Sequence, residues 1–194
     1  MMISTAFAKD GLVAQDDELE RLRRREPAAV ACIVERYQHR LYRYLVRLVG
    51  PGAPADDLFQ QTWLHVVRQL ERFDARRSFD TWLFAIAHNA AMDVLRRRPG
   101  ESLDEESGGW PAGGPDALAL LLTAERAAIV AAEVDALPAL YREAVTLRFE
   151  EGMKLEEIAE VTGAPLSTVK SRLRRALETL RHSMTSHWRK EDLL

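Results

Sequence analysis

Eighteen residues, "PGESLDEESGGWPAGGPD" at 99–116, constrain this chain more than any other stretch. They hold three Pro, five Gly, two Ser and five acidic residues, and no helix or strand period fits them. Proline removes backbone donors and glycine adds backbone freedom, so the run cannot extend a helix or a central strand. Structureless loops of this length are uncommon inside a compact domain. The segment therefore reads as a flexible acidic linker over residues 99–117, dividing the 194-residue chain into two small domains.

Both flanks read as helical. Apolar residues recur at spacings of three and four, and alternating β-branched runs are absent. The fold class expected is all-α. The first domain spans 15–98, with helices over about 15–26, 27–49, 54–72 and 78–98. Pro27 suits a first turn and Gly50 a stop. The acids of "PADD" suit the positive end of a helix dipole, and Ser78 suits an N-cap. The second domain spans 118–185, with helices over about 118–136, 138–150, 155–162 and 167–185. Residues 186–194 read as a frayed tail, with His182 and His187 solvated rather than ligating a metal.

Charge is distributed unevenly. The net formal charge is −3, yet residues 1–98 hold 16 Lys and Arg against 13 Asp and Glu. Residues 99–122 hold five acids and no base. Local basic clusters matter more than the total for a polyanionic partner. The single cysteine, Cys32, lies in an apolar run beside Val30, Ile33 and Val34 and reads as a small core residue. With no disulfide, no signal-peptide layout and no long apolar span, the expected location is the cytoplasm.

The stretch "KLEEIAEVTGAPLSTVKSRLRRALETL", 154–180, carries the clearest geometry. Two helices joined by "TGAP" make a helix-turn-helix candidate, with Gly163 able to take a positive φ. Ser167 is the expected cap of the second helix. Stepping 100° per residue puts Val169, Leu173, Ala176, Leu177 and Leu180 on one arc, the expected packing face. Ser167, Ser171, Arg174, Arg175 and Glu178 take the opposite arc, flanked by Thr168, Lys170 and Arg172. A guanidinium-bearing face of this kind suits a DNA major groove, where arginine bonds guanine bidentately. Lys154 stands where a Ser or Thr would cap the first helix, and Glu156 and Glu157 compensate through the dipole.

"LPALYREAVTLRFEEGMKLEEIAEVTGAPLSTVKSRLRRALETLR" resembles region 4 of bacterial sigma factors. "DDLFQQTWLHVVRQLERFDARRSFDTWLFAIAHNAAMDVLRRR" resembles region 2 of the same family. The order of the two segments, the linker and the absence of an intervening domain are similar to the extracytoplasmic-function subfamily. The resemblance implies a sigma region 2 helical bundle and a sigma region 4 helix-turn-helix.

It also implies partners: core RNA polymerase, through its β′ coiled coil and β flap, promoter DNA, and an anti-sigma factor. The −35 element would be read by Ser167, Thr168, Lys170, Ser171, Arg172, Arg174 and Arg175. The −10 element would be held by Asp74, Arg76, Arg77, Ser78, His88, Asn89, Arg96 and Arg97. The β′ surface would be met by Asp57, Gln60, Gln61 and Trp63. Phe79, Trp82 and Phe84 would be core rather than base-stacking residues. This chain departs from the family at Gln61, where Glu is usual, and at Ala85 and His88, where Arg is common. A neutral bond at position 61 is about half as strong as a charged one.

Family promoter elements lie roughly 55–70 Å apart, whereas a free 18-residue linker spans roughly 25 Å. The resemblance therefore implies weak promoter binding without polymerase. It also implies a nucleic-acid-mimicking role for the linker acids Glu101, Asp104, Glu105, Glu106 and Asp116 in the nascent-RNA path. No nucleophile–base pair, metal cluster or phosphate loop stands out, so no catalytic residue, cofactor or metal is expected. The alternative function, a stand-alone helix-turn-helix regulator, would leave the "DLFQQTW" helix without a role.

Overall fold

The computed structural model describes residues 20–74, 77–97 and 128–191, with side chains to Met184. The linker and Arg76 lie outside these residues. After a helical turn at 20–23, the first domain has three helices: α1 (Pro27–Val49), α2 (Ala53–Gln69) and α3 (Phe79–Arg97). A 3-10 turn at Leu70–Arg72 ends α2. The second domain has α4 (128–135), α5 (Ala139–Val145), α6 (Leu155–Thr162) and α7 (Leu166–Glu191). The described residues contain no strand.

Helix α1 forms because its apolar residues keep one helical period. Ala29, Ile33, Tyr37, Leu41, Tyr44, Leu45 and Leu48 are buried along one stripe. Pro27 opens it without losing a needed donor, and Gly50 closes it at φ 84°. Cys32 lies one position, or 100°, from Ile33 and is exposed, so it is not the core residue expected.

Helices α1, α2 and α3 pack pairwise into a bundle. Its centre is aromatic: Tyr44 meets Phe84 edge-on at 5.0 Å, Tyr37 meets Phe79 at 5.2 Å, and Phe73 meets Trp82 at 4.8 Å. Phe79 and Phe84 are buried and Trp82 is half-buried, as expected of core residues. Arg23 ties the preceding turn down by donating to the Phe73 carbonyl at 2.5 Å.

In the second domain, Ala144, Leu147, Ile158, Val161, Val169, Leu173, Ala176 and Leu180 form the packed centre. Leu177 is 46% exposed, contrary to its expected place on the packing face. Helix α7 continues to Glu191, through residues expected to fray. The helix begun by α5 ends in a π-helical turn at Thr146–Glu150, where the Glu151 N–H donates to the Thr146 carbonyl.

The two domains are in contact. Helix α6 lies along α3, α5 lies against α1, and the buried residues of both halves form one continuous cluster. The linker composition gave no sign of this, because it constrains the connection and not the surfaces it connects.

Candidate nucleic-acid interface

Helix α6 starts after Lys154, whose N–H donates to Glu157 Oε2 at 2.7 Å. An ammonium has no acceptor, so the reciprocal bond that Ser or Thr would supply is missing. Gly163 ends the helix at φ 63°, a left-handed conformation that glycine adopts without a Cβ penalty. The Thr162 hydroxyl donates to the Ile158 carbonyl at 2.8 Å and accepts from the Ala164 N–H at 3.4 Å. Ile158 and Val161 are buried, which fixes α6 beneath α7.

Helix α7 begins at Leu166, with the Pro165 carbonyl accepting the Val169 N–H. Ser167 therefore lies inside the first turn, exposed, and does not cap the helix as expected. Val169, Leu173, Ala176 and Leu180 are buried. Ser167, Lys170, Arg174 and Arg175 are exposed, while Thr168, Ser171 and Arg172 are half-buried on the flanks. The seven residues expected to meet DNA thus share one outer surface. Ser171 Oγ donates to the Thr168 carbonyl at 2.9 Å, which leaves its lone pairs as acceptors. Arg175 Nη1 donates to the Tyr141 hydroxyl at 3.2 Å, which restrains that guanidinium. Arg174 approaches Glu178 only at 3.9 Å between well-exposed side chains, a weak attachment.

On α3, Ser78 acts as the cap, its Oγ accepting the Thr81 N–H at 3.4 Å. Asn89, Asp93, Arg96 and Arg97 recur at helical spacing and are exposed, so three expected DNA contacts share a stripe. Asp74 and Arg77 are exposed ahead of the helix. Arg77 forms an ion pair with Glu160 of α6. His88 sits 100° from Asn89, and that step turns it inward. It is buried, with Nδ1 2.6 Å from Glu143 Oε1 of α5. The structure does not present His88 to a ligand alongside Asn89.

On α2, Asp57, Gln60 and Gln61 are exposed on one stripe that continues to Leu64, itself 54% exposed. Trp63 is different: it is buried and packs edge-on against Phe59 at 6.3 Å. It belongs to the core rather than to the stripe. Beside the stripe is an open cleft lined by Gln38, His39, Tyr42, Asp56, Phe59 and Gln60. The cleft joins α1 to α2, and a pattern read along one helix could not find it.

Sequence reasoning also passed over Glu143. It is buried and accepts from the Tyr44 hydroxyl at 2.6 Å. Burial drives the Tyr44 hydroxyl pKa well above its ordinary value, and the Glu143 carboxylate pushes it further up. No local pattern marked it, because its partners Tyr44 and His88 lie in the other domain.

Each of the two domains matches a known family model. Residues 33–99 match the family model for Sigma-70 region 2, and residues 127–180 match Sigma-70, region 4. The chain is 34% identical over 172 residues to the ECF RNA polymerase sigma-E factor of Escherichia coli K12, covering 84% of this chain and 90% of that protein. It is 34% identical over 158 residues to the ECF RNA polymerase sigma factor SigE of Mycolicibacterium smegmatis, covering 80% of this chain and 61% of that protein. Its fold is similar to that of CnrH in complex with the cytosolic domain of CnrY, at TM-score 0.64 and 24% identity, covering 89% of this chain and 98% of that one. It is also similar to the sigma factor RpoE of Bartonella quintana in complex with the anti-sigma factor NepR, at TM-score 0.61 and 23% identity, covering 80% and 96% of the two chains. The chain belongs to the sigma-70 family of RNA polymerase sigma factors, within its extracytoplasmic-function group.

Proposed function

We propose that this chain is a transcription initiation factor that binds core RNA polymerase and directs it to specific promoters. The observation that carries the reading is the outer face of α7, where Lys170, Arg174 and Arg175 are exposed on a helix anchored by Val169, Leu173, Ala176 and Leu180. This face reads the −35 element in the major groove. Arg174 and Arg175 contact base edges, and Arg172 on the flank contacts phosphate. Asn89, Arg96 and Arg97, with Asp74, Arg77 and Ser78, engage the −10 element. Asp57, Gln60 and Gln61 meet the β′ coiled coil, and Leu64 adds an apolar contact at the same stripe.

Bond making and breaking stay with the polymerase, and this chain is not itself an enzyme. It acts in the cytoplasm, and no helix among the described residues is long and apolar enough to cross a membrane. The two similar solved structures are complexes with CnrY and with the anti-sigma factor NepR. An anti-sigma partner is proposed here by analogy.

Run-off transcription tests the reading. Purified core polymerase is supplied with genomic upstream fragments, with and without this protein. New discrete transcripts that depend on the protein are expected. Core binding without transcripts points to a missing promoter or activator. No core binding, with folding intact, overturns the proposal.

A further inference from the structure

A second concentration of positive charge lies where the turn at 20–26 docks on the end of α2. Leu22 is buried and anchors the turn. Arg23 donates to the Phe73 carbonyl, and Arg25 Nη2 donates to the Arg68 carbonyl at 3.4 Å. These bonds bring residues 23–25 beside residues 68–73. Residues 20–26 and 68–74 together hold six arginines and four acids. The acids are unevenly shared. Glu26 pairs with Arg21 at 2.9 Å, and Glu20 lies 3.6 Å from Arg23 and 3.5 Å from Arg24. Glu71 stands three residues after Arg68, the spacing of a helical ion pair, but Arg25 takes it at 3.2 Å. Arg25 does so from a positive φ of 54°, a conformation uncommon for a residue with a Cβ. Backbone outliers of this kind gather where a side chain must be placed for function. Arg68 and Arg72 are exposed, and neither pairs with an acid among the described residues.

We propose that Arg68 and Arg72, with Arg24 beside them, form a cationic track for the phosphate backbone of single-stranded DNA. The track extends surfaces already described. Arg68 lies four residues beyond Leu64 on the α2 stripe, and Arg72 lies two residues before Asp74. It thus joins the α2 stripe to Asp74 and Arg77, where a strand parted from its complement at the −10 element is engaged. Phosphates replace water on Arg68 and Arg72. They also displace the contact of Arg24 with Glu20, which is weak between side chains 69% and 50% exposed. Guanidinium–phosphate bonds fix the position of a strand without reading its sequence. Arg25 is a positioning residue: by neutralising Glu71 it leaves Arg68 and Arg72 uncompensated and keeps a bare carboxylate away from the phosphates. That the strand is promoter DNA rests on the proposed function. The affinity of the track for a single strand does not.

The test uses the full chain without polymerase, so the track and the proposed function can fail separately. The chain is titrated against fluorescein-labelled single-stranded oligothymidine by fluorescence anisotropy over a range of salt. On a single strand the logarithm of affinity falls with the logarithm of salt by about 0.7 per phosphate contact, so Arg68→Ala/Arg72→Ala should flatten the slope by about 1.4. Arg36→Ala/Arg43→Ala removes the same charge from exposed positions on α1 and should flatten it by less than half as much. Arg68→Lys/Arg72→Lys keeps the charge and should restore most of the native slope. Oligodeoxyadenosine should show the same losses, because the contacts are to the backbone. Arg25→Ala should weaken binding by releasing Glu71, and adding Glu71→Gln should restore it. Circular dichroism checks that helicity is kept, and Arg68→Gln/Arg72→Gln stands in should the alanine pair lose it. No binding by the native chain at low salt overturns the track. So does a native slope in Arg68→Ala/Arg72→Ala, an equal loss in the α1 control, or a loss seen on only one homopolymer. A loss in Arg25→Ala that Glu71→Gln does not restore overturns the role given to Arg25.

Discussion

Tyr44→Phe isolates one bond at the domain contact. Tyr44 is fully buried, and its hydroxyl donates to Glu143 Oε1 at 2.6 Å. Phenylalanine keeps the ring and its edge-on packing against Phe84 at 5.0 Å. Almost no volume is lost, so the cavity cost that accompanies most core truncations is small. What remains is a hydrogen bond to a charged group, about 1.5–3 kcal/mol. His88 stays on the same oxygen, but Oε2 is already unpartnered, so no other described group takes up the loss. For a chain of this size each kcal/mol moves the melting temperature by about 2–4 °C, which predicts a fall of roughly 3–12 °C. Thermal and urea unfolding followed by circular dichroism measure it. A double-mutant cycle with Glu143→Leu should return a coupling of about 0.5–3 kcal/mol, as for residues in direct contact. A change within about 0.5 kcal/mol for Tyr44→Phe, the range of an ordinary surface substitution, would refute the reasoning. It would mean that Glu143 is hydrated and the two domains are apart.

Three further outcomes are expected. Arg175→Ala should weaken binding to the −35 duplex by about 1–3 kcal/mol and should affect scrambled duplex much less, by fluorescence anisotropy; equal losses on both would assign Arg175 to phosphate contact. Asp57→Ala, at an exposed position, should lower co-elution with core polymerase while leaving the melting temperature within experimental scatter, and undiminished co-elution would remove Asp57 from that surface. Alkaline titration should ionise Tyr37 and Tyr44 only as helicity is lost. Burial raises both hydroxyl pKa values, with Asp80 adding at Tyr37 and Glu143 at Tyr44. A raised folded-state pKa favours the neutral form, so this stability is present below about pH 10 and declines as pH rises beyond it. Tyrosinate absorbance that rises fully near the ordinary pKa with helicity intact would contradict it.

The local chemistry of helices was legible along the chain. Pro27, Gly50, Ser78 and Gly163 each mark a boundary because their effect is confined to one turn. The outer face of α7 followed from a 100° step, since a helix anchored by Val169, Leu173 and Ala176 must present Lys170, Arg174 and Arg175 elsewhere. The same step misjudged Leu177, at the border of a face, because periodicity gives direction without saying how far a neighbouring helix reaches. Cys32 was read as core from its apolar neighbours in sequence, and it is exposed because adjacent residues of a helix point 100° apart. Trp63 was expected at the β′ surface by family resemblance, and the structure buries it against Phe59.

The sequence by itself determined that this chain is helical, that it has two parts, and that one helix near its end carries a guanidinium face. Those properties depend on residues within a few positions of one another. Only the tertiary structure decided what the two parts do to each other. Glu143 lies 99 residues from Tyr44 and 55 from His88, and Glu151 lies 111 from Arg40. Each of these charges, taken alone along its own helix, reads as solvated. Their burial is a property of the pair, created when one domain removes water from the other, and no local pattern records it.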